Sequence, residues 1–431
     1  MTLAEIRLWG RTIGAVSLEE GQPATTFQYD PEFARSGIQI APLMMPLREA
    51  PYNFPALSYE SFRGLPGLLA DSLPDKFGNA LIDVWLAQQQ RSAGSFDAVE
   101  RLLYTGNRGM GALEFVPARG PRATKSEEVH IDALVKLASA VLSNREELKH
   151  SFADDRSSQA LREILRVGTS AGGARAKAVI AWNPRTQEVR SGQVSAGMGF
   201  EYWLLKFDGV QNNKDRDLAD PKGFGAVEYA YYLMARAAGV AMNESRLLEE
   251  HGRRHFMTRR FDRGPGGEKI HMQSLAALMH YDYNQPGAYS YEQAIQAMRA
   301  LRLPMAQIEE LYRRAVFNIL GRNQDDHVKN IAFLMDRSGQ WSLSPAYDIA
   351  YAYNPDGPWT SRHQMSFNGK RDGFIPSDFT DFAKYAGLKR GRGKAILDEV
   401  RDAISRWPTF AQEAEVDPRF REQIARRHRV E

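Results

Sequence analysis

The sequence predicts an α+β fold: a β-rich N-terminal subdomain followed by two lobes, the second of them mainly helical. Three observations carry this reading. The chain opens with two short alternating segments joined through a glycine, which is the pattern of a β-hairpin. A middle stretch holds apolar strand-like runs around one strongly amphipathic helix. From Ile270 onward the apolar residues recur at helical spacing, interrupted by a single hairpin.

Each element follows from local residue chemistry. Ile6-Arg-Leu-Trp9 alternates as a half-buried strand does, Gly10-Arg-Thr12 turns the chain, and Ile13 to Ser17 returns. Phe27-Gln-Tyr29 and Gly37 to Ala41 are expected to add strands. Asp71-Ser-Leu-Pro-Asp75 reads as a helix start with Ser72 as its cap, and Leu81 to Gln89 continues as an amphipathic helix. Arg108 to Val116 reads as a turn into another strand. The Pro-, Gly- and Arg-rich stretch Pro117 to Lys125 ends this unit, so residues 1–120 form the N-terminal subdomain.

Residues 121–260 form the next unit. Helical patterns cover His130 to Ser143 and Ser157 to Leu165, and a small-residue loop runs from Gly168 to Lys177. Strands are expected over Ala178–Trp182 and Glu201–Phe207. The helix Gly225–Ala238 carries Val227, Tyr231, Met234 and Ala238 on one stripe and ends at Gly239. Phe256 to Asp262 is extended. Residues 261–431 form the helical lobe, with helices over Gln273–His280, Ser290–Leu301, Met305–Leu320 and Gly393–Trp407. The interrupting hairpin carries Asn330 to Asp348 and turns at Asp336-Arg-Ser-Gly339.

Composition narrows the function classes. The 56 basic and 53 acidic residues nearly balance, which argues against a protein that coats nucleic acid. There is no cysteine, so disulfides, cysteine–zinc sites and thiol catalysis are excluded, in keeping with a reducing cytoplasm. No apolar run follows a basic start and none reaches the length of a membrane span, so a cytoplasmic protein without membrane association is expected. His251 and His255 lie four apart, but the Gly-Arg-Arg between them offers no carboxylate for a metal-hydrolase site. No Gly-x-Ser-x-Gly elbow is present.

The densest polar constellation is Asn323-Gln-Asp-Asp-His-Val-Lys-Asn330, followed across the hairpin by Pro345-Ala-Tyr-Asp348. A carboxylate, an amide five positions later and a second carboxylate are the groups that phosphoryl transfer needs. One carboxylate, Asp325, orients and deprotonates the acceptor, while Asn330 and Asp348 hold Mg²⁺ on the phosphates of ATP. Asp326 leaves the base ambiguous by one position. His327 reads as a structural histidine or as part of the site, and Lys329 as a phosphoryl-stabilising or a solvated lysine. Lys206 sits in the apolar run Tyr202 to Phe207, either snorkelling to solvent or aimed at phosphates with Glu228 as its ion-pair partner. In the loop, Gly172 and Gly173 with Ala171 and Ala174 allow backbone N–H groups to approach phosphate oxygens, although such a loop also serves as an ordinary turn. The expected arrangement is therefore a two-lobed, protein-kinase-like fold with nucleotide in the crevice.

These residues resemble the HipA-type serine/threonine kinase toxins of bacterial toxin–antitoxin modules, along almost the whole chain. Asp325-x-His-x-Lys-Asn330 with Tyr347-Asp348 is the most specific part. Ser170-Ala-Gly-Gly-Ala-Arg-Ala-Lys177 is similar to the family's Ser-x-Ala-Gly-Ala-Gln-x-Lys segment, and Arg260-Phe-Asp-Arg263 to its hinge. Leu65-Pro-Gly-Leu-Leu-Ala-Asp-Ser72 resembles its N-terminal subdomain. The resemblance implies Asp325 as catalytic base and Asn330 and Asp348 as Mg²⁺ ligands. It implies phosphate contacts from Gly172, Gly173, Ala174, Arg175, Ala176, Lys177 and Lys206. Adenine would lie on the backbone of Arg259, Arg260 and Phe261 and ribose on Asp262, with His327, Lys329 and Tyr347 around the nucleotide. Ser170 would be the autophosphorylated serine that switches the kinase off. Gly172 and Arg175 replace the family's usual Ala and Gln, and Arg259 stands at an often acidic position, so side-chain contacts there do not carry over. The resemblance also implies a HipB-like helix-turn-helix antitoxin, operator DNA reached mainly through it, and a substrate in translation such as an aminoacyl-tRNA synthetase. The basic run Leu388 to Lys394 reads as a solvated loop or a contact to DNA phosphates. Two other readings remain: a small-molecule or lipid kinase with a related site, and a catalytically silent kinase-fold co-repressor.

Overall fold

The computed structural model describes residues 1–120, 128–143, 175–210 and 222–430. Strands β1 (Thr2–Leu8) and β2 (Arg11–Leu18) form the expected hairpin. Its turn is one residue earlier than the sequence suggested: Trp9 and Gly10 both take positive φ, 51° and 81°, the geometry that matches strand twist in a two-residue turn. With β3 (Thr26–Tyr29), β4 (Tyr52–Asn53) and β5 (Leu113–Val116) they make a five-stranded antiparallel sheet in the order β4-β3-β2-β1-β5. Ala4, Ile6, Leu8, Phe27 and Tyr29 fill its inner face, packed by helices α1 (Pro31–Ala34), α2 (Tyr59–Phe62) and α3 (Gly67–Ala70). Gly37 to Ala41 is not a strand. Its carbonyls serve the helical lobe instead: Gln39 O accepts from Trp341 Nε1 at 3.1 Å and Ile40 O from Gln273 Nε2 at 2.5 Å.

Helix α4 (Lys76–Gln88) begins later than expected. Its cap is Asp75, whose carboxylate accepts the Gly78 N–H at 2.6 Å, and Ser72 lies before it. Helix α5 (Ala98–Thr105), closed by a capping box of Asp97 and Glu100, completes the subdomain.

Helix α6 (Ile131–Ser143) matches the expected one, whereas Ser157 to Leu165 lies outside the described residues. The second sheet has the order β7-β6-β8-β10-β9, from β6 (Lys177–Trp182), β7 (Val189–Ser191), β8 (Glu201–Lys206), β9 (Ser245–Glu250) and β10 (Arg253–Arg259). Helix α7 (Phe224–Ala237) packs so closely on β10 that a Cβ on Gly225 would stand 2.2 Å from the Arg254 carbonyl oxygen.

In the helical lobe, β11 (His271–Ser274) replaces the first turn of the helix expected from Gln273. Gln273 pairs with Phe333 of the hairpin, and Ser274 caps the shortened α8 (Leu275–Met279). Helices α9 (Tyr291–Ala300) and α10 (Met305–Leu320) fall where their periodicity placed them. The hairpin of β12 (Ala332–Met335) and β13 (Trp341–Leu343) pairs with β11 as a three-stranded sheet. Then follow α11 (Pro376–Ala386), α12 (Arg392–Ser405), α13 (Trp407–Glu413) and α14 (Pro418–Ala425) around a core of Tyr231, Tyr291, Tyr312, Phe317 and Trp407. Among the described residues no helix is long and apolar enough to cross a membrane.

The N-terminal subdomain is seated on this lobe through Gly67, whose N–H donates to His280 Nε2 at 3.0 Å. Burial pushes the His280 pKa down to about 4, which keeps that nitrogen an acceptor at neutral pH. A Cβ on Gly67 would lie 2.1 Å from the Ala277 carbonyl oxygen. Gly67→Ala is therefore expected to destabilise the protein by about 1–3 kcal/mol, read as a lowered midpoint in denaturant unfolding.

Candidate active site

Helix α10 ends at Gly321, and the loop after it is held on two sides. Asn323 Nδ2 donates to Asn318 Oδ1 at 3.0 Å, and Gln324 N donates to Ala352 O at 3.1 Å. The neighbouring aspartates then part. Asp326 turns inward and is 3% exposed; it accepts from Tyr291 Oη at 2.8 Å, from Gln364 N at 2.8 Å, and meets His363 Nδ1 at 2.9 Å. Burial alone would raise its pKa, but the His363 charge and these donors bring it below the usual carboxylate value. Asp325 stays half-buried, with Oδ1 accepting from Trp359 Nε1 at 2.6 Å and lying 3.8 Å from His327 Nε2. Its pKa is raised, chiefly by burial and further by Asp348 and Asp326, against the lowering pull of His327 and Trp359. A fully bonded Asp326 is structural. Asp325 has Oδ1 held by Trp359, and its Oδ2 has no hydrogen bond among the described residues.

The second part of the site is an ion-pair knot. Lys206, at the end of β8, is 10% exposed at its side chain and contacts both Glu228 Oε1 of α7 and, at 2.5 Å, Asp348 Oδ1 beyond the hairpin. Burial would lower the lysine's pKa, but the two carboxylates raise it above its ordinary value. The same lysine, then Lys177, holds Asp348 far below the usual carboxylate range against the effect of burial. Asp348 takes a left-handed φ of 56°, a conformation that aspartate tolerates better than most residues. Glu228 is 1% exposed and its second oxygen receives Arg175 Nη1 at 3.2 Å; the Arg175 guanidinium also lies 3.8 Å from the centre of the Phe224 ring. Glu228 is thus a buried pairing residue, and Arg175 is engaged with it.

The remaining expectations divide. Asn330 Nδ2 donates to Asp325 O at 2.8 Å, which ties the amide to the backbone of Asp325. His327 caps the 3₁₀ turn Val328–Asn330, its ring accepting from Lys329 N at 3.3 Å. The Lys329 ammonium lies 4.4 Å over the Tyr283 ring, and Tyr347 Oη donates to Lys329 O at 2.5 Å. Ala176 is buried. Ser170, Gly172, Gly173 and Ala174 lie outside the described residues.

At the hinge, Arg259 N donates to Glu244 O at 2.8 Å, Arg259 O accepts from Asn243 Nδ2 at 3.1 Å, and Arg260 N donates to Tyr202 O at 2.8 Å. The Phe261 N–H and carbonyl carry no such bond to a described residue, and the Phe261 ring sits 5.6 Å from that of Tyr347. Asp262 does not face the cleft. It is fully buried, and its oxygens accept from Arg260 Nε at 2.8 Å, Arg260 Nη2 at 2.7 Å, Arg263 Nη1 at 2.8 Å and Gly111 N at 2.7 Å. Both oxygens are buried and engaged, so the ribose contact expected of Asp262 is corrected to a structural role that pins the hinge to the N-terminal subdomain. In the basic run, Arg392 pairs with Glu309 at 2.6 Å and Lys394 with Asp398 at 2.5 Å, which leaves only Lys389 and Arg390 exposed without a described ion pair.

Two further residues border the site. Trp359 stands on the candidate base. Asp75 places Oδ2 3.1 Å from Lys177 Nζ, both side chains being 4% exposed. The sequence signalled neither, because each meets its partner only through tertiary packing.

Comparison with known proteins bears directly on this geometry. A family model described as the HipA-like C-terminal domain matches residues 169–407, and one described as the HipA N-terminal domain matches residues 4–116. The chain belongs to the HipA family. A Haemophilus influenzae protein named "Putative kinase" is 25% identical over 191 residues, 38% of this chain and 56% of that protein. "Putative kinase Y4dM" of Sinorhizobium fredii is 25% identical over 219 residues, 48% of this chain and 50% of that protein. The chain thus spans about half the length of these curated relatives. HipA of Shewanella oneidensis MR-1, solved with HipB and its operator DNA, superposes with a TM-score of 0.67 at 16% identity, covering 98% of this chain and 96% of that one. At that identity the likeness establishes the HipA fold.

The two aspartates of this HipA-family loop are separable by stability. Asp326→Ala leaves His363, Tyr291 and Gln364 facing an empty site and is expected to cost about 3–5 kcal/mol, whereas Asp325→Ala leaves the unfolding midpoint nearly unchanged. Because the Asp326 pKa is lower folded than unfolded, its stabilisation is complete above the unfolded value of about 3.9 and is lost as pH falls through the folded value. Wild type and Asp326→Ala should therefore converge in stability toward acid pH.

Proposed function

We propose that the protein is an ATP- and Mg²⁺-dependent serine/threonine protein kinase of HipA type, acting as the toxin of a toxin–antitoxin pair. The observation that carries this is the Lys206 knot: one buried lysine joins a helix glutamate to the aspartate that follows the hairpin. That triad is the arrangement by which a kinase-like fold sets its phosphate lysine and its metal aspartate in one place.

ATP would supply the γ-phosphoryl group, and Mg²⁺ would neutralise charge between its phosphates. Asp348 and Asn330 would hold the metal. Their oxygens are the hard donors that Mg²⁺ takes, and the Asn330 nitrogen is already committed to Asp325 O, leaving the amide oxygen free of described partners. Lys206 would bind phosphate oxygens, held in place by Glu228. Asp325 would receive the acceptor's proton on Oδ2 while Trp359 fixes Oδ1. Most of the rate would come from positioning and fixed charge, as phosphoryl transfer requires little covalent work from the protein. The free Phe261 backbone and its ring, beside Tyr347, would receive the adenine.

The HipA resemblance adds the biology of this reading. The substrate is a protein of translation, with an aminoacyl-tRNA synthetase the leading candidate. The Shewanella complex with HipB and operator DNA supports a HipB-like antitoxin as partner, with DNA reached through it. Self-inactivation is assigned to Ser170, where a phosphate of about −1.5 to −2 charge would compete with ATP for the loop's N–H groups.

Asp325→Gln is expected to abolish transfer of labelled phosphate to a protein acceptor while the ATP-induced rise in melting temperature persists. Full activity in that variant would reject Asp325 as the base. Trp359→Phe removes one N–H from the base and keeps the ring, so kcat should fall about ten-fold, the worth of a hydrogen bond to a charged group, with KM for ATP unchanged. Intact mass with and without ATP, followed by peptide mapping, tests Ser170.

A further inference from the structure

Strands β6 and β8 are antiparallel neighbours, and their register sets Lys177 directly opposite Lys206. Side chains directly opposite across an antiparallel pair share a face and nearly touch, so two ammonium groups there repel unless each has its own counter-charge. Lys206 has Glu228 and Asp348. Lys177, 3% exposed, has Asp75, which no strand of that sheet provides: it comes from the N-terminal subdomain. Helix α4, which Asp75 caps, packs Phe77, Ala80, Leu81 and Val84 into the same core as Ala178, Ile180, Trp203 and Leu205 of β6 and β8. The carboxylate is held from both ends. Oδ1 accepts the Gly78 N–H at 2.6 Å, and Oδ2 lies 3.1 Å from Lys177 Nζ.

We infer that Asp75 is a positioning residue of the phosphate site, so that the N-terminal subdomain completes the nucleotide-binding machinery. It anchors Lys177 beside Lys206, and the two lysines form a paired cationic floor for a polyphosphate. Without the anchor, Lys177 is repelled by Lys206 and turns off the floor. The inference rests on the kinase reading above, and a separate arm of its test keeps the two distinct.

The experiment compares wild type, Asp75→Asn, Lys177→Gln and the double variant in the full-length chain. Asparagine caps a helix about as well as aspartate, so Asp75→Asn removes the charge and keeps the cap. The expected result is a rise of about ten-fold in KM for ATP and in Kd for a fluorescent ATP analogue, the loss of one charge-assisted contact, with kcat at saturating ATP and KM for the acceptor unchanged. Lys177→Gln should raise the same constants, and Asp75→Asn should add nothing in its background. A structural contribution from Asp75 would instead lower the melting temperature and add to the Lys177→Gln effect. Unchanged or tighter nucleotide binding in Asp75→Asn, or additivity in the double variant, overturns the inference. If wild type binds no nucleotide at all, the kinase reading fails first, and that outcome is read from the analogue titration without any variant.

Discussion

The structure depends on one ammonium group, that of Lys206. A lysine this deeply withdrawn from water is stable as a cation only while carboxylates stand against it. The two partners come from different parts of the chain: Glu228 from α7, and Asp348 from the segment that follows the β12–β13 hairpin of the helical lobe. The strand, the helix and the hairpin exit therefore cannot shift independently. The small lobe and the helical lobe meet at a fixed electrostatic point, and the cleft between them is organised around it. A divalent cation at Asp348 would compete with Lys206 for the same carboxylate, and a polyphosphate would take up the lysine charge thereby released.

The periodic elements were legible in the sequence. Helix α10 runs from Met305 to Leu320, as its apolar spacing predicts, and the hairpin turns at Asp336 to Gly339 as its composition suggests. The loop and the hairpin that carry Asp325, Asn330 and Asp348 were legible too, because turn residues and strand alternation are local signals. What could not be read were the roles decided by distant partners. Asp325 and Asp326 are the same residue type in the same loop. Only His363, Gln364 and Tyr291, far away in the chain, show which of them is structural. Asp262 turns from the expected ribose role for the same reason, since Gly111 of the first subdomain and two arginines hold it in the interior. Gly37 to Ala41 has strand-like composition, yet its carbonyls are taken by side chains of the helical lobe, and no local rule anticipates that.

A common thread joins two of these misreadings. For Asp326 the partners lie in its own lobe, but for Asp262 and for Gly37 to Ala41 the contact crosses the boundary of the N-terminal subdomain. Gly67 meets His280, Gly111 meets Asp262, Ile40 meets Gln273 and Asp75 meets Lys177. Buried polar groups must find partners wherever packing puts them, and here packing draws the first subdomain against both lobes. A reading by separate segments treats that subdomain as an appendage, whereas its polar contacts make it part of the interior.

The short segment Asp71 to Asp75 shows how tight this integration is. Asp71 accepts Ser274 N at 2.6 Å and Ser274 Oγ at 2.8 Å, which binds it to the start of α8 in the helical lobe. Asp75 pairs with Lys177 at the start of β6 in the small lobe. Only Ser72, Leu73 and Pro74 separate the two attachments, and the proline ring fixes one of the few free torsions between them. Any change in the angle between the lobes must be absorbed in that span or must break a buried charge contact at one end. Two-lobed folds that close over a ligand ordinarily place their flexibility in a single hinge. Here the Asp71 to Asp75 segment is a second tie, joined to the helical lobe at Ser274 and to the small lobe at Lys177.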